Sequence, residues 1–435
     1  MLSVMFSTRA TSFALLVGCL GAMATLLELI PFSPIAPICF WYFVVGELMR
    51  LNKKQRNQII GLSSLGLVFA GAAWVLGAKV DIFYVLGQHE NLAMLLACVS
   101  FVKLTTRKQT GPSQSRSAFS QFLSTLLGMH LLAAVANFAS IVLVGSQLER
   151  KNQLSATAYA LLSRGFALAV LWSPFMAMLP LIMSQVPDFA LSDYYPYAGA
   201  LVIAALVFTL LEVPKRQADS FKLFEGYPLT LSSLALPILL IAAVVMASQA
   251  FPSIPTLVLV ASITVALSVV YLFLTQGKQA SQEKLANHLT GGIAESRGEI
   301  SLFLSAGLLA GGVKALMAVE LFSLPIDQTN AIVAIVALWS IFIISSFGLH
   351  QFALVSIWAG LLADVTVTPT LMAVAYALAT SVSMSGTVFS GVNLLLLNRF
   401  NTPSRLVFSA NLPYSLFMLC LGSAVLLLME HNGIH

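Results

Sequence analysis

Two stretches of the chain, about 220 residues apart, place the same unusual residues inside apolar surroundings. The first is Thr125-Leu-Leu-Gly128-Met-His130-Leu-Leu-Ala133-Ala-Val135, and the second is Ser345-Ser346-Phe-Gly348-Leu-His350-Gln-Phe-Ala353-Leu-Val355. A second matched pair follows each. Ala158-Tyr159-Ala160-Leu161 precedes Trp172-Ser173-Pro174-Phe175, and Ala375-Tyr376-Ala377-Leu378 precedes, at the same spacing, Phe389-Ser390-Gly391-Val392. An imidazole changes charge near neutral pH, so His130 and His350 could donate to an anion or carry a proton. Glycine at 128 and 348 permits a tight turn, and the helix N-terminus after such a turn suits an anion. Proline removes a helix hydrogen bond and glycine weakens a helix, so Ser173-Pro174 and Ser390-Gly391 read as helix breaks, with Thr387 and Asn393 adding polarity at the second. Singly, Gly-x-His reads as a helix crossing with a satisfied core histidine. Two copies, each followed by a matched break, point to a site.

These residues need elements that hold them within a membrane. The 435-residue chain is 58% hydrophobic and 9% charged, with a mean hydropathy of +0.91. A soluble chain would carry about 25% charge, so the composition excludes a soluble globular protein and specifies an all-α integral membrane protein. The net charge of +5 lies in loops, which makes it a topology signal and not a nucleic-acid surface. The first apolar run lacks a small-residue cleavage site and is expected to be a retained helix. Cys19, Cys39, Cys98 and Cys420 are scattered singly, with no metal-ligand spacing.

Apolar runs at about 11–30, 34–49, 59–80, 89–105, 195–213, 230–250, 254–275, 299–320 and 406–430 can each span a bilayer. The runs 118–147 and 329–363 are too long for one span and too short for two. The runs 155–183 and 370–398 exceed a core of about 30 Å and must tilt or break. Cytoplasmic loops carry Lys and Arg. Arg50, Lys53, Lys54 and Arg56 follow two spans, which puts the N-terminus inside, and Lys103, Arg107, Lys108 and Arg116 agree. If 118–147 crossed the membrane, Arg150-Lys151, Lys215-Arg216, Lys222, Lys278, Lys284 and Arg297 would all lie outside. The run is therefore expected to enter and return. The acidic flanks of 329–363, with Glu320, Asp327 and Asp364, predict a second hairpin from the opposite side, keeping Arg399 and Arg405 inside. The expectation is about eleven transmembrane helices plus two opposed re-entrant hairpins, N-terminus in and C-terminus out. Residues 1–33 form an extra helix, 34–213 repeat 1, 214–229 a connector and 230–430 an inverted repeat 2. An inverted repeat with irregular residues at mid-membrane is a mark of secondary transporters.

Arg164 falls about 10 Å inside its helix. It is either an anion counter-charge or a side chain that snorkels to the interface. Lys314 is expected to snorkel, and Glu28 and Glu47 to be interfacial. Few acids fall at span centres, which leaves histidine as the titrating group.

The layout, over nearly the whole chain, resembles the ion-transporter superfamily of elevator-type carriers: the divalent-anion/sodium symporters, the large subunits of tripartite (TRAP) dicarboxylate transporters and the arsenite-pump-like permeases. Where those symporters carry Ser-Asn-Thr at each hairpin tip, this chain carries Gly-x-His. The resemblance implies that tips and broken helices form the solute and ion sites and move against a dimeric scaffold. Carried over by position, the tip residues are Thr125, Gly128, His130, Ser345, Ser346, Gly348 and His350, with Na⁺ a candidate there. The break residues are Ser173, Pro174, Ser390, Gly391 and Asn393.

The expectation is an inner-membrane secondary transporter, a symporter for a small anionic solute such as a carboxylate, coupled to H⁺ or Na⁺, a homodimer in the bilayer, without cofactor, bound metal or nucleic-acid partner. Two other classes are the alternatives. A multi-pass enzyme of lipid-linked glycan assembly wants a large outward loop with catalytic Arg or His, whereas the outward loops here are about ten residues. A non-catalytic subunit of a larger complex has no need of two symmetric discontinuities.

Overall fold

In a computed structural model the chain is described at residues 6–105, 117–151, 153–186, 188–227, 231–319, 326–362 and 365–434. Arg107, Lys108, Arg116, Glu320, Asp364 and connector positions 228–229 lie outside the described residues. The protein is an all-α membrane protein. Its helices, in chain order, are α1 (Thr8–Leu26), α2 (Ile35–Glu47), α3 (Lys53–Val75), α4 (Ile82–Gly87), α5 (Glu90–Val99), α6 (Ala118–Ala136), α7 (Phe138–Leu148), α8 (Ala156–Ala169), α9 (Met178–Gln185), α10 (Leu191–Arg216), α11 (Ala218–Lys222), α12 (Leu231–Ala250), α13 (Thr256–Gln276), α14 (Lys278–Thr290), α15 (Arg297–Met317), α16 (Ala331–Ser345), α17 (Gln351–Leu361), α18 (Pro369–Gly386), α19 (Gly391–Arg399) and α20 (Arg405–His431). Among the described residues, nine helical stretches are long and apolar enough to cross a membrane, and α7, α16 and α17 are shorter apolar helices.

Helix starts follow local chemistry. Ser117, Ser155, Asn330 and Ser390 each accept a backbone N–H of the first turn of α6, α8, α16 and α19, which satisfies a donor that the helix itself leaves free. Pro369 opens α18, where its missing N–H costs nothing.

The helices form two compact units. One comprises Met1–Thr106, Leu240–Pro325 and Ser356–Asp364; the other comprises Arg107–Leu239, Ile326–Val355 and Val365–His435. In the first unit α15 packs along α3, α1 pairs with α2, and α5 packs on α1, α13 and α15. The second unit holds both sequence copies. Its packing is symmetric: α6 lies on α8 and α16 lies on α18, while α9 packs on α18 and α19 on α8. Each half-helix that follows a break therefore lies on the long arm of the other copy.

Both odd apolar runs double back. In the first, α6 and α7 pack together after a turn at Asn137, whose φ is 48°. The segment 225–227 then bonds both ends, taking Arg150 at Glu225 and offering the Gly226 N–H to Gln121 Oε1 at 2.8 Å. In the second, the chain leaves at Thr329 and returns at Thr366, where Thr329 N–H donates to Thr366 O at 2.9 Å and Thr366 N–H to Asp327 O at 3.0 Å.

Candidate functional site

The second unit carries the site, and its two breaks are built differently. The first runs through residues 170–177, between α8 and α9. The last turn of α8 tightens into short-range bonds, such as Val170 N–H to Ala167 O at 3.2 Å, a common way to end a helix. The Ser173 hydroxyl donates to Ala134 O on α6 and accepts the Phe175 N–H at 3.2 Å. The carbonyls of Leu171 and Trp172 accept from the Tyr194 and Tyr195 hydroxyls of α10. Pro174 follows Ser173 without a donor to satisfy.

The second break spans residues 387–390, between α18 and α19. Ser390 caps α19 by accepting Asn393 N–H at 3.1 Å and donates to Met384 O at 2.7 Å. The Asn393 amide donates to the carbonyls of Met384 at 3.3 Å, Ser385 at 2.9 Å and Thr387 at 2.8 Å. Its oxygen accepts the Tyr159 hydroxyl of α8. One buried amide thus satisfies most of the carbonyls that this break frees.

Both hairpin turns lie against the second break. Phe138, at the first turn, packs on Phe166 with ring centroids 4.9 Å apart. It also lies beside Gly391, where a Cβ would come 3.2 Å from its ring. At the second turn Gly348 adopts a φ of +111° and sits against Phe389, which a Cβ would meet at 3.7 Å. The arms are also tied: Ser381 of α18 donates to Ala167 O of α8 at 2.8 Å.

One expectation about position is corrected. The first hairpin turns at Asn137 and not at Gly128, so Thr125, Gly128 and His130 lie within the regular length of α6. Asparagine is among the few residues that tolerate a left-handed backbone, and the Ala-rich run 133–136 carries the helix to it. The second turn does fall at Gly348, after Ser345 and Ser346 both donate to Phe342 O at 2.9 Å, a bond that competes with the helical ladder.

The two histidines differ. Trp172 Nε1 donates to His130 Nε2 at 3.0 Å, and His130 Nδ1 lies 3.2 Å from Gly165 O. An indole nitrogen only donates, so Nε2 accepts, Nδ1 carries the proton, and the neutral ring has both nitrogens engaged. His350 Nδ1 accepts the Phe352 N–H at 3.3 Å at the start of α17, which leaves its Nε2 as the donor. Both side chains are buried. Thr125 faces elsewhere: it donates to Gln121 O at 2.7 Å and accepts Tyr227 N–H at 2.9 Å. Burial of Tyr227 raises its phenol above the ordinary value.

Arg164 does not snorkel. It is fully buried and donates to Asn411 Oδ1 at 3.0 Å, Thr209 Oγ1 at 3.4 Å, Glu212 Oε2 at 2.9 Å and Ala410 O at 2.6 Å. Its guanidinium lies 4.6 Å from the centre of the Tyr414 ring. Asn411 extends the network to Ser163 Oγ at 2.9 Å and Ser385 O at 2.8 Å. Glu212 also pairs with Arg216 at 3.2 Å. Arg164 is thus a clamp joining α8, α10 and α20, with its charge already paired. A cavity of about 380 Å³ opens beside Arg216, lined by Ala156, Asp219, Ser220, Ser409 and Ala410, at the opposite end of α8 from its break.

Sequence reasoning passed over Asn137, Glu212 and Asn411, and gave Tyr159 only as part of a repeated motif. A lone amide inside the apolar run of α20, and an acid four residues before Arg216, were signals that could have exposed Asn411 and Glu212. Several polar atoms near the breaks have no hydrogen-bond partner: Asn137 Oδ1, Ser383 Oγ, Ser415 Oγ and Gln351 Nε2. Buried polar groups are nearly always paired, so these are atoms a solute or ion could engage.

No protein-family model matches the chain, and no curated protein matches it in sequence. Among solved structures it is similar to MtrF of Neisseria gonorrhoeae, described with a class of antimetabolite efflux pumps, at 13% identity over 93% of this chain and 97% of that one, with a TM-score of 0.44. It is also similar to the YdaH transporter of Alcanivorax borkumensis, described as having an unusual topology, at 15% identity over 97% of this chain and 98% of that one, with a TM-score of 0.48.

Proposed function

We propose that the chain is a secondary active transporter that moves a small anionic solute, a carboxylate or related anion, across the inner membrane, coupled to H⁺ or Na⁺. The observation that carries this reading is the meeting of two broken helices with two hairpin turns: Phe138 of the first turn lies against Phe166 and Gly391, Ser173 bonds the end of α6, and Gly348 of the second turn lies against Phe389. Irregular backbone inside a membrane protein persists where it is buried in protein or lines a cavity, and paired discontinuous helices form solute and ion sites. The half-helices α9 and α19 both begin at the breaks, and helix N-termini favour an anion. Ser173, Ser390, Gly391, Asn393, Gly348 and His350 stand nearest this arrangement. His130 and Arg164 support it through their packing, and Thr125 anchors the segment 225–227. In this reading the repeats are 34–213 and 230–430, inverted and preceded by one extra helix. The second unit is the moving body of an elevator-type dimer like those of the ion-transporter superfamily.

The test is a thermal-shift screen of the purified protein against carboxylates, sulfonates and oxyanions, with and without Na⁺, followed by uptake into proteoliposomes. At least one anion is expected to raise the melting temperature and to be taken up under an ion gradient. Failure of every class to do either overturns the reading.

A further inference from the structure

A third discontinuity lies in the first unit, in a stretch of ordinary span length, directly after Gly87. Helices α4 and α5 are separated by Gln88 and His89, and His89 holds a left-handed φ of 67°. The surroundings are shaped to accept it. Trp41 Nε1 donates to the freed Leu86 carbonyl at 2.9 Å. His89 reaches Phe303 O at 3.2 Å and Ser356 Oγ at 3.3 Å through its two ring nitrogens. Gly307 on α15 leaves room for the Gln88 carbonyl, which a Cβ would approach to 2.3 Å.

The first residue after this break is Glu90. Its side chain is buried, and Oε2 has no hydrogen-bond partner. The contrast with Glu47 in the same unit is direct. Glu47, expected at the interface, is fully buried, but it accepts from Thr11 and pairs with Arg50 and Arg297. Helix α5 packs against α1, α2, α13, α15 and the 3₁₀ turns 100–105 and 292–296. The charged groups on these elements are Arg9 on α1, Glu47 on α2, Arg297, Glu299 and Lys314 on α15, Lys103 on the first turn and Glu295 on the second; α13 carries none. Lys103 pairs with Glu295, and among the described residues no cation pairs with Glu90. The N-terminus of α5 favours a negative charge at Glu90, but that gain is smaller than the cost of an unpaired buried carboxylate. A proton removes the charge and leaves the group hydrogen-bond competent.

We propose that Glu90 is a proton-binding site, the carboxyl that carries the coupled proton of the transport reaction. Coupling rests on the transporter reading above; occupancy of the carboxyl by a proton does not. The step is a reversible O–H bond formation at the carboxylate, with the proton taken from water on one side of the membrane and returned to water on the other.

Two measurements on the full-length protein test it. Infrared spectra of wild type and Glu90→Gln are expected to differ by a protonated-carboxyl band that is present at neutral pH and lost on alkaline titration. The wild-type melting temperature falls over the same titration, while that of the Gln variant stays flat. Absence of the band at neutral pH overturns the proposal. Should the Gln variant fail to fold, Glu90→Asp takes its place and must shift the band. In proteoliposomes a gradient of one pH unit can sustain about ten-fold accumulation per coupled proton. Glu90→Gln is expected to lose this accumulation while keeping solute exchange, and accumulation at the wild-type level overturns the coupling role. A wild type that carries the band but moves no anion leaves the proton site standing and sinks the transporter reading alone.

Discussion

The two breaks of the second unit occupy matching places and are held by different means. The first is held from outside: Leu171 and Trp172 carbonyls rest on tyrosines of α10, and Ser173 reaches a carbonyl of α6. The second is held mostly from within, because Asn393, three residues past its own cap, satisfies three carbonyls of the preceding turn. A break tied to its neighbours changes when they move; a self-satisfied break keeps its shape. The repeat therefore reproduces where the backbone opens but not how it is stabilised, which gives the halves unequal stiffness and unequal roles.

The largest effect that could break this comparison concerns orientation. If the copies are inverted, cysteines replacing Arg150 and Asp327 in a cysteine-free background label oppositely in intact cells with a membrane-impermeant reagent. Position 150 is protected and position 327 reacts. Labelling of both from outside removes the inversion.

Next in size is the contrast between the breaks. Asn393→Leu strands the Thr387 carbonyl and the Tyr159 hydroxyl, while Ser390 and Asn411 still donate to Met384 O and Ser385 O, so it is expected to destabilise by about 2–3 kcal/mol. Tyr194→Phe removes one buried bond from the first break and should cost about 1 kcal/mol. Denaturant unfolding in detergent ranks them, and equal costs would erase the distinction.

The turns differ in the same manner. Gly348→Ala places a Cβ on a backbone at φ +111° and should cost about 1–2 kcal/mol. Asn137→Gly, at a φ of 48°, should be nearly neutral. A neutral Gly348→Ala would mean that the second turn readily adopts another conformation.

The smallest expected difference separates the histidines. His130→Gln loses its paired contacts to Trp172 and Gly165 and should lower stability by about 1 kcal/mol. His350→Gln should leave the melting temperature near wild type and alter the pH profile of uptake. The opposite pattern would exchange the two roles.

Both breaks were legible in the sequence, because an overlong apolar run with Ser-Pro or Ser-Gly at its middle has few other solutions. That the two odd runs double back was legible from their length. The first turn was misplaced because Gly128 outweighed Asn137, although either residue can turn a chain. The 88–89 break left only Gly87 as a local signal, in a run short enough for one span; the room for its carbonyl comes from a glycine more than two hundred residues away. The buried state of Arg164 was undecidable from spacing, since its partners Glu212, Ala410 and Asn411 come from other helices.

The short helices around the breaks have a consequence for biogenesis. The helices α7, α9, α16, α17 and α19 contain 11, 8, 15, 11 and 9 residues. At 1.5 Å per residue none reaches across a hydrocarbon core of about 30 Å. They cannot enter the bilayer one by one as independent spans. Arg164, made early in synthesis, must also wait for Asn411 and Ala410 on the last helix before its guanidinium is fully held. A nascent chain stopped before Arg405 therefore carries a cation in the membrane without half of its partners. Such truncated chains should be cleared by membrane proteases much faster than the full chain, which pulse-chase decay would show, and a stable truncated chain would contradict this order of assembly.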